Sequence, residues 1–189
     1  MRVRMRQDNV LLIGFMGAGK SACGRLLARR LGRCFVETDD MIVAHQGRSI
    51  PEIFRTDGEE RFRALEGEAL GLLKVKSGEV IATGGGLPCR PGRMEALREL
   101  GTVVWLSGDL SSLYERARRA GTRPMLDDRP FDAIEALYRA REPYYRQADV
   151  VVDTTGLGPD QVVARVLAAI RDHEARRASV AAARGSDTR

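Results

Sequence analysis

The chain has 189 residues, 43% hydrophobic and 30% charged, which suits one ordinary globular domain and excludes a wholly disordered chain; no apolar run nears the roughly 18 residues of a membrane span. The formal charge of +5 points to a polyanion only until it is located. Arg2, Arg4 and Arg6 against Asp8 leave +2 over residues 1–8, and Arg171, Arg176, Arg177, Arg184 and Arg189 against Asp172, Glu174 and Asp187 leave +2 at the other end, so the body carries about +1 and no basic stripe for nucleic acid.

In chain order, the Arg-rich start of the basic arm 1–8, Met1 to Arg6, leads into Gln7, Asp8 and Asn9 rather than into a signal-peptide core, which reads as a cytoplasmic protein. The first strand is expected over 10–15. Gly14-Phe15-Met16-Gly17-Ala18-Gly19-Lys20-Ser21 follows it and fits G-x-x-x-x-G-K-[ST] directly before a helical pattern over 20–31 that spaces Leu26, Leu27 and Leu31 on one face. Glycines there let backbone N–H groups converge on phosphates, Lys20 adds a mobile charge, and the Ser21 hydroxyl can ligate Mg²⁺. The chain therefore binds a nucleoside triphosphate.

A second strand, 34–38, ends in Glu37-Thr38-Asp39-Asp40. At the carboxyl edge of a parallel sheet such a carboxylate can hold Mg²⁺ or orient and deprotonate a hydroxyl. Asp40 is expected to cap a helix from Met41 onward, whereas Asp39 is open between cap and chemistry. The helix 59–73 sets its apolar face with Phe62, Leu65, Leu70 and Leu73, and it carries Arg63, which pairs either with surface carboxylates or with a ligand. The third strand, 80–83, runs into Gly84-Gly85-Gly86, bare backbone that a small second ligand could approach. A helix over 91–100 and a strand over 103–106 follow. Residues 120–130 form a mobile excursion of Gly, Arg, Pro and Asp, expected to lie over a site. Arg141 precedes Pro143, which should perturb or end its helix; a fifth strand, 150–153, and a helix over 159–169 or somewhat beyond complete the pattern.

Alternating strands and helices describe an α/β domain of three layers, with helices on both faces of a five-stranded parallel sheet. It spans 9–173, and the Ala- and Arg-rich residues 174–189 form a frayed helix followed by disorder. Cys23, Cys34 and Cys89 follow no C-x-x-C spacing, which suggests a reducing compartment and no zinc. The absence of N-K-x-D argues against a switch GTPase, and the glycine triplet after the third strand favours small-molecule phosphoryl transfer. Two inward arginines, at 63 and 141, would imply an anionic acceptor.

This order of motifs resembles that of the shikimate kinases, of the nucleoside-monophosphate-kinase-like P-loop group. The resemblance runs over 9–170 through G-F-M-G-A-G-K-S, T-D-D, the block S-I-P-E-I-F-R-T-D-G-E-E-R-F-R-A-L-E at 49–66, G-G-G, R-P-M-L and R-E-P-Y-Y at 141–145. It implies transfer of the γ-phosphoryl of MgATP to the 3-hydroxyl of shikimate, a step toward chorismate and the aromatic amino acids. It further implies that Gly17, Ala18, Gly19, Lys20, Ser21 and Ala22 serve the phosphates, that Asp39 contacts the shikimate hydroxyls as base or orienting group, and that Arg63 and Arg141 hold its carboxylate. Gly84, Gly85 and Gly86 would line that pocket, Glu66 would steady Arg63, and Arg123 in the mobile lid would reach both ligands. Arg119 and Pro159 are implied at the adenine, and Ser21 with Glu37 at Mg²⁺. The family usually has Asp where this chain has Glu37, one methylene longer, which bears on Mg²⁺ more than on shikimate.

Other readings are another small-molecule P-loop kinase, such as a gluconate kinase-like enzyme, a nucleotide-binding regulatory protein without catalysis, and a nucleic-acid binder working through its basic ends. The expected partners are ATP and shikimate alone, without nucleic acid or membrane, on a monomer.

Overall fold

The computed structural model describes residues 8–119 and 130–186. Among them β1 (Asn9–Ile13), β2 (Phe35–Glu37), β3 (Val80–Ala82), β4 (Gly101–Ser107) and β5 (Val150–Asp153) form one parallel sheet in the order β2-β3-β1-β4-β5. The helices are α1 (Lys20–Leu31), α2 (Thr38–Gln46), α3 (Ile50–Leu73), α4 (Arg93–Leu100), α5 (Leu110–Arg119), α6 (Phe131–Tyr145) and α7 (Pro159–Ser186). All five residues of β1 are buried, as expected of a central strand covered on both faces, whereas the edge strand β5 alternates buried and exposed. The three-layer α/β expectation holds.

Register positions the site. Leu12 of β1 pairs with Ala82 of β3, and Ala82 pairs with Glu37 of β2, so the three strands end level. The segments that leave them, 14–19, 38–40 and 83–86, therefore emerge side by side at one sheet edge. At the opposite end, the buried Asn9 side chain donates to the carbonyls of Lys76 (3.2 Å) and Leu100 (3.0 Å) and accepts from the Glu79 N–H (2.9 Å). It thereby satisfies three backbone groups, one of them the carbonyl at the end of α4, that burial would otherwise leave unpaired.

The main core packs β1, β3 and β4 through Leu11, Leu12, Ile13, Ile81, Val103, Val104 and Leu106 against α1, α4 and α7. Each such side chain contributes roughly 1.5–3 kcal/mol of burial. A smaller core of Ile42, Ile53, Phe62, Leu65 and Ala69 joins α2 to α3. This second core holds the helix that carries Arg63.

Several boundaries differ from the sequence reading. The first strand stops at Ile13, because Gly14 (φ 142°) turns the chain into the loop while Phe15 is buried there without being strand. α2 begins at Thr38 with Glu37 at its N-cap, so Asp40 does not cap it; Asp39 and Asp40 lie in its first turn, where a negative charge suits the helix dipole. α3 starts at Ile50, capped by Ser49, and is broken at Gly58 (φ 80°, ψ 175°) into segments 50–57 and 59–73. Pro143 does not end α6, which continues to Tyr145. α7 continues to Ser186, well beyond the expected apolar face, and its residues 174–180 are exposed. The basic arm up to residue 7 and all of the expected excursion except Pro130 lie outside the described residues.

Candidate active site

The loop between β1 and α1 is a cradle built on glycine conformations. Gly17 (φ 77°) and Gly19 (φ 81°) hold left-handed backbone, and Gly19 is the N-cap of α1. A Cβ on Gly17 would come within 1.9 Å of the Leu113 carbonyl oxygen of α5, so the loop is pressed against α5 as only glycine permits. The Lys20 side chain is buried and arches back over the loop, its Nζ donating to the carbonyls of Gly14 (2.9 Å) and Phe15 (3.1 Å). A cavity of about 390 Å³ opens here; its wall includes Gly17, Ala18, Gly19, Lys20, Ser21 and Ala22, together with Glu37, Asp39, Gly84, Arg116, Leu157 and Pro159.

Ser21 Oγ donates to Glu37 Oε1 at 2.5 Å, and Arg25 Nη2 holds the other carboxylate oxygen at 3.2 Å. The longer Glu arm is thus tied at both ends. Among the described residues no group of three or more His, Cys, Asp or Glu is arranged to hold a metal. A hydroxyl backed by a carboxylate suits Mg²⁺, which keeps several waters and takes its remaining oxygens from substrate phosphates.

Beside the cradle, four side chains from three separate stretches of the sequence meet at Gly84-Gly85-Gly86. Asp39 Oδ1 lies 2.6 Å, and Glu66 Oε1 3.4 Å, from where a Cβ on Gly84 would stand. Arg63 Nη1 lies 2.6 Å from the same point on Gly86, and Arg141 Nη1 3.6 Å from that on Gly85. The Gly84 N–H donates to the fully buried Thr38 hydroxyl at 3.0 Å, which ties the start of α2 to this loop.

Arg63 is held from both sides. Its Nη1 donates to buried Glu66 at 3.0 Å, while Nε (3.1 Å) and Nη2 (2.8 Å) reach Glu59 Oε1. Burial works against the Arg63 charge, but Glu66 and Glu59 outweigh it and keep the guanidinium above its usual pKa. Burial also pushes the Glu66 carboxyl up, against the pull of Arg63, whereas the Arg63 hydrogen bonds hold Glu59 down. Arg141 sits 6.0 Å above the Phe15 ring, which connects this hollow to the cradle.

The structure therefore brings Lys20, Ser21, Ala22, Glu37, Asp39, Gly84 and Pro159 to one cavity and sets Arg63 and Arg141 against its glycine rim. Arg119 does not line this cavity: its side chain is 81% exposed and, among the described residues, reaches toward Glu115 at 3.9 Å. Arg116, one turn earlier, lines the cavity and donates to Thr154 Oγ1 at 3.0 Å. Arg123 lies outside the described residues. Sequence reasoning did not single out Arg116, Glu59 or Thr38. For Arg116 the available signal was its i,i+3 spacing from Leu113 on the inward face of α5.

Comparison with known proteins gives one consistent result. The family model for shikimate kinase matches residues 16–171. A shikimate kinase of Symbiobacterium thermophilum is 43% identical over 87% of this chain and 97% of its own length, and one of Geobacter sulfurreducens is 45% identical over 88% and 92%. A solved shikimate kinase from Acinetobacter baumannii in complex with shikimate superposes with a TM-score of 0.82 at 34% identity, covering 88% of this chain and 94% of that one.

Proposed function

The chain belongs to the shikimate kinase family, an enzyme that phosphorylates shikimate with ATP and Mg²⁺, and we propose that Asp39, Arg63 and Arg141 seat the acceptor beside a nucleotide cradled by residues 17–22. The observation that carries this reading is the convergence of one carboxylate and two guanidiniums on three consecutive glycines next to the cradle. The acceptor carboxylate pairs with Arg63 and Arg141, whose planar forks suit it, and the ring rests on Gly84, Gly85 and Gly86. Its 3-hydroxyl then faces Asp39. The hydroxyl oxygen bonds to the γ-phosphorus, the bond from that phosphorus to the β,γ-bridging oxygen breaks with its electrons staying on ADP, and the hydroxyl proton passes to Asp39.

Lys20 stands over the loop as the cation for the transferring phosphoryl, and α1 presents its N-terminus to the same charge. Bound Mg²⁺ neutralises phosphate charge, and the Ser21 hydroxyl, with Glu37 behind it, is the group that holds it. Arg116 and Pro159 wall the part of the cavity left for the base, and the family resemblance adds Arg119, exposed at the end of α5, as the group that stacks on it. The family resemblance adds Arg123 as a further charge on both ligands. We read the enzyme as a monomer in the cytoplasm, where cysteines without C-x-x-C spacing suit a reducing compartment; no described helix is long and apolar enough to cross a membrane.

The test is steady-state phosphorylation of shikimate, gluconate and nucleoside monophosphates, with calorimetry on Arg63→Ala. Shikimate turnover should exceed the others by about a hundredfold or more, and Arg63→Ala should weaken shikimate at least about tenfold while sparing ADP. Unchanged shikimate affinity in that variant removes Arg63 from the pocket.

A further inference from the structure

Tyr145, the last residue of α6, is fully buried, yet its hydroxyl has a task at the rim of the site. It donates to the carbonyl oxygen of Gly85 at 2.6 Å, and the Cys89 thiol approaches the same oxygen at 3.6 Å. The ring is fixed behind by Trp105 of β4, with centroids 6.0 Å apart. Gly85 in turn lies against the Gly14 carbonyl that receives Lys20. The middle glycine of the triplet is thus anchored by a side chain from α6, the helix that also carries Arg141.

From this geometry we infer that Tyr145 is a positioning residue for the acceptor, fixing the peptide after Gly85 and the Arg141 guanidinium as one unit; the inference rests on the acceptor pocket proposed above. A trans peptide points its C=O and N–H in opposite directions. By drawing the Gly85 carbonyl toward α6, Tyr145 turns the Gly86 N–H the other way and keeps the acceptor from meeting a carbonyl lone pair. With its one proton spent on Gly85, the phenol oxygen can only accept from its other neighbours, and Arg141 stands beside it with donors to offer. Burial holds the phenol far above its ordinary pKa, so it is a donor throughout the working range. A glycine triplet has no side chains to limit its φ and ψ, so an external anchor is what a defined rim requires.

The experiment is Tyr145→Phe, which removes the oxygen and keeps the ring, measured beside Arg63→Ala and beside Ile170→Val, a small core deletion in α7 away from the site. The expected result is a rise of about tenfold in the KM for shikimate, with the KM for ATP within about twofold and kcat within about threefold. By calorimetry the ADP affinity should stay within about twofold while the shikimate affinity falls about tenfold. Two results overturn the inference: an unchanged shikimate KM while Arg63→Ala raises it, or equal losses for both substrates that track thermal stability as they do in Ile170→Val. If Arg63→Ala itself leaves the shikimate KM alone, the pocket reading has failed instead. Should Tyr145→Phe not fold, Cys89→Ala probes the same carbonyl from its second donor, with a two- to threefold rise in shikimate KM expected and no rise counting against the inference.

Discussion

Added methyl groups separate the two halves of the site at the scale of single residues. In Gly17→Ala the new Cβ meets a backbone carbonyl at 1.9 Å in a left-handed conformation, so neither partner can yield cheaply. We expect a stability loss of about 2 kcal/mol or more in thermal unfolding and no ADP binding by calorimetry. In Gly86→Ala the nearest atoms to the Cβ are those at the tip of Arg63, a side-chain end rather than backbone, which shifts on its bonds to Glu59 and Glu66. That variant should fold normally, bind ADP normally and show a shikimate KM about tenfold higher, because the carboxylate clamp is displaced. Asp39, just past the end of β2, stayed open between cap and chemistry, whereas Lys20 and the glycines were legible in the sequence because G-x-x-x-x-G-K-[ST] and G-G-G fix their places after a strand. Arg116 and Glu59 were not, because the direction of a helical side chain depends on the packed rotation of its helix, which periodicity fixes only to within a residue or so.

At the scale of elements, α3 places Arg63, and its break decides the aim. Gly58 has nothing within 4 Å of a built Cβ, so Gly58→Ala tests backbone conformation alone. Its φ of 80° with ψ of 175° belongs almost only to glycine, and the substitution should cost about 1–3 kcal/mol in denaturant unfolding and weaken shikimate more than ATP. Just before the break, Arg48 closes a two-bonded ion pair on Asp57, at 3.1 and 2.6 Å. Hydrogen bonding from Arg48 holds the Asp57 carboxyl down to about 2 from its ordinary 3.8. A carboxyl with a lowered folded pKa stabilises above its unfolded value and loses that contribution as pH falls through the folded one. Unfolding midpoints should therefore decline between about pH 4 and pH 2, and Asp57→Asn should flatten that part of the profile. The second half of α3 was legible through Phe62, Leu65, Leu70 and Leu73. Residues 50–57 were not assigned to a helix, because their apolar residues Ile50, Ile53 and Phe54 cover too few turns to declare a period, although Ser49 and Pro51 mark its start.

Over the whole molecule, the function depends on strand order more than on any one contact. The order β2-β3-β1 with level strand ends brings 14–21, 38–40 and 83–86 together, although the chain separates them by up to about seventy residues. Alternating strands and helices made the class of fold legible, but strand order depends on which helices pack on which face, and no local pattern carries that. The exposed end of α7 makes little difference to this arrangement, so ending the chain after His173 should leave the unfolding midpoint and kcat for shikimate within experimental error. This geometry is tested most directly by one crystal structure with ADP, Mg²⁺ and shikimate. It predicts the β-phosphate on the main-chain amides of residues 17–21, the shikimate carboxylate between Arg63 and Arg141, and its 3-hydroxyl against Asp39. Shikimate bound away from the glycine triplet, or with its carboxylate turned from both arginines, would contradict it.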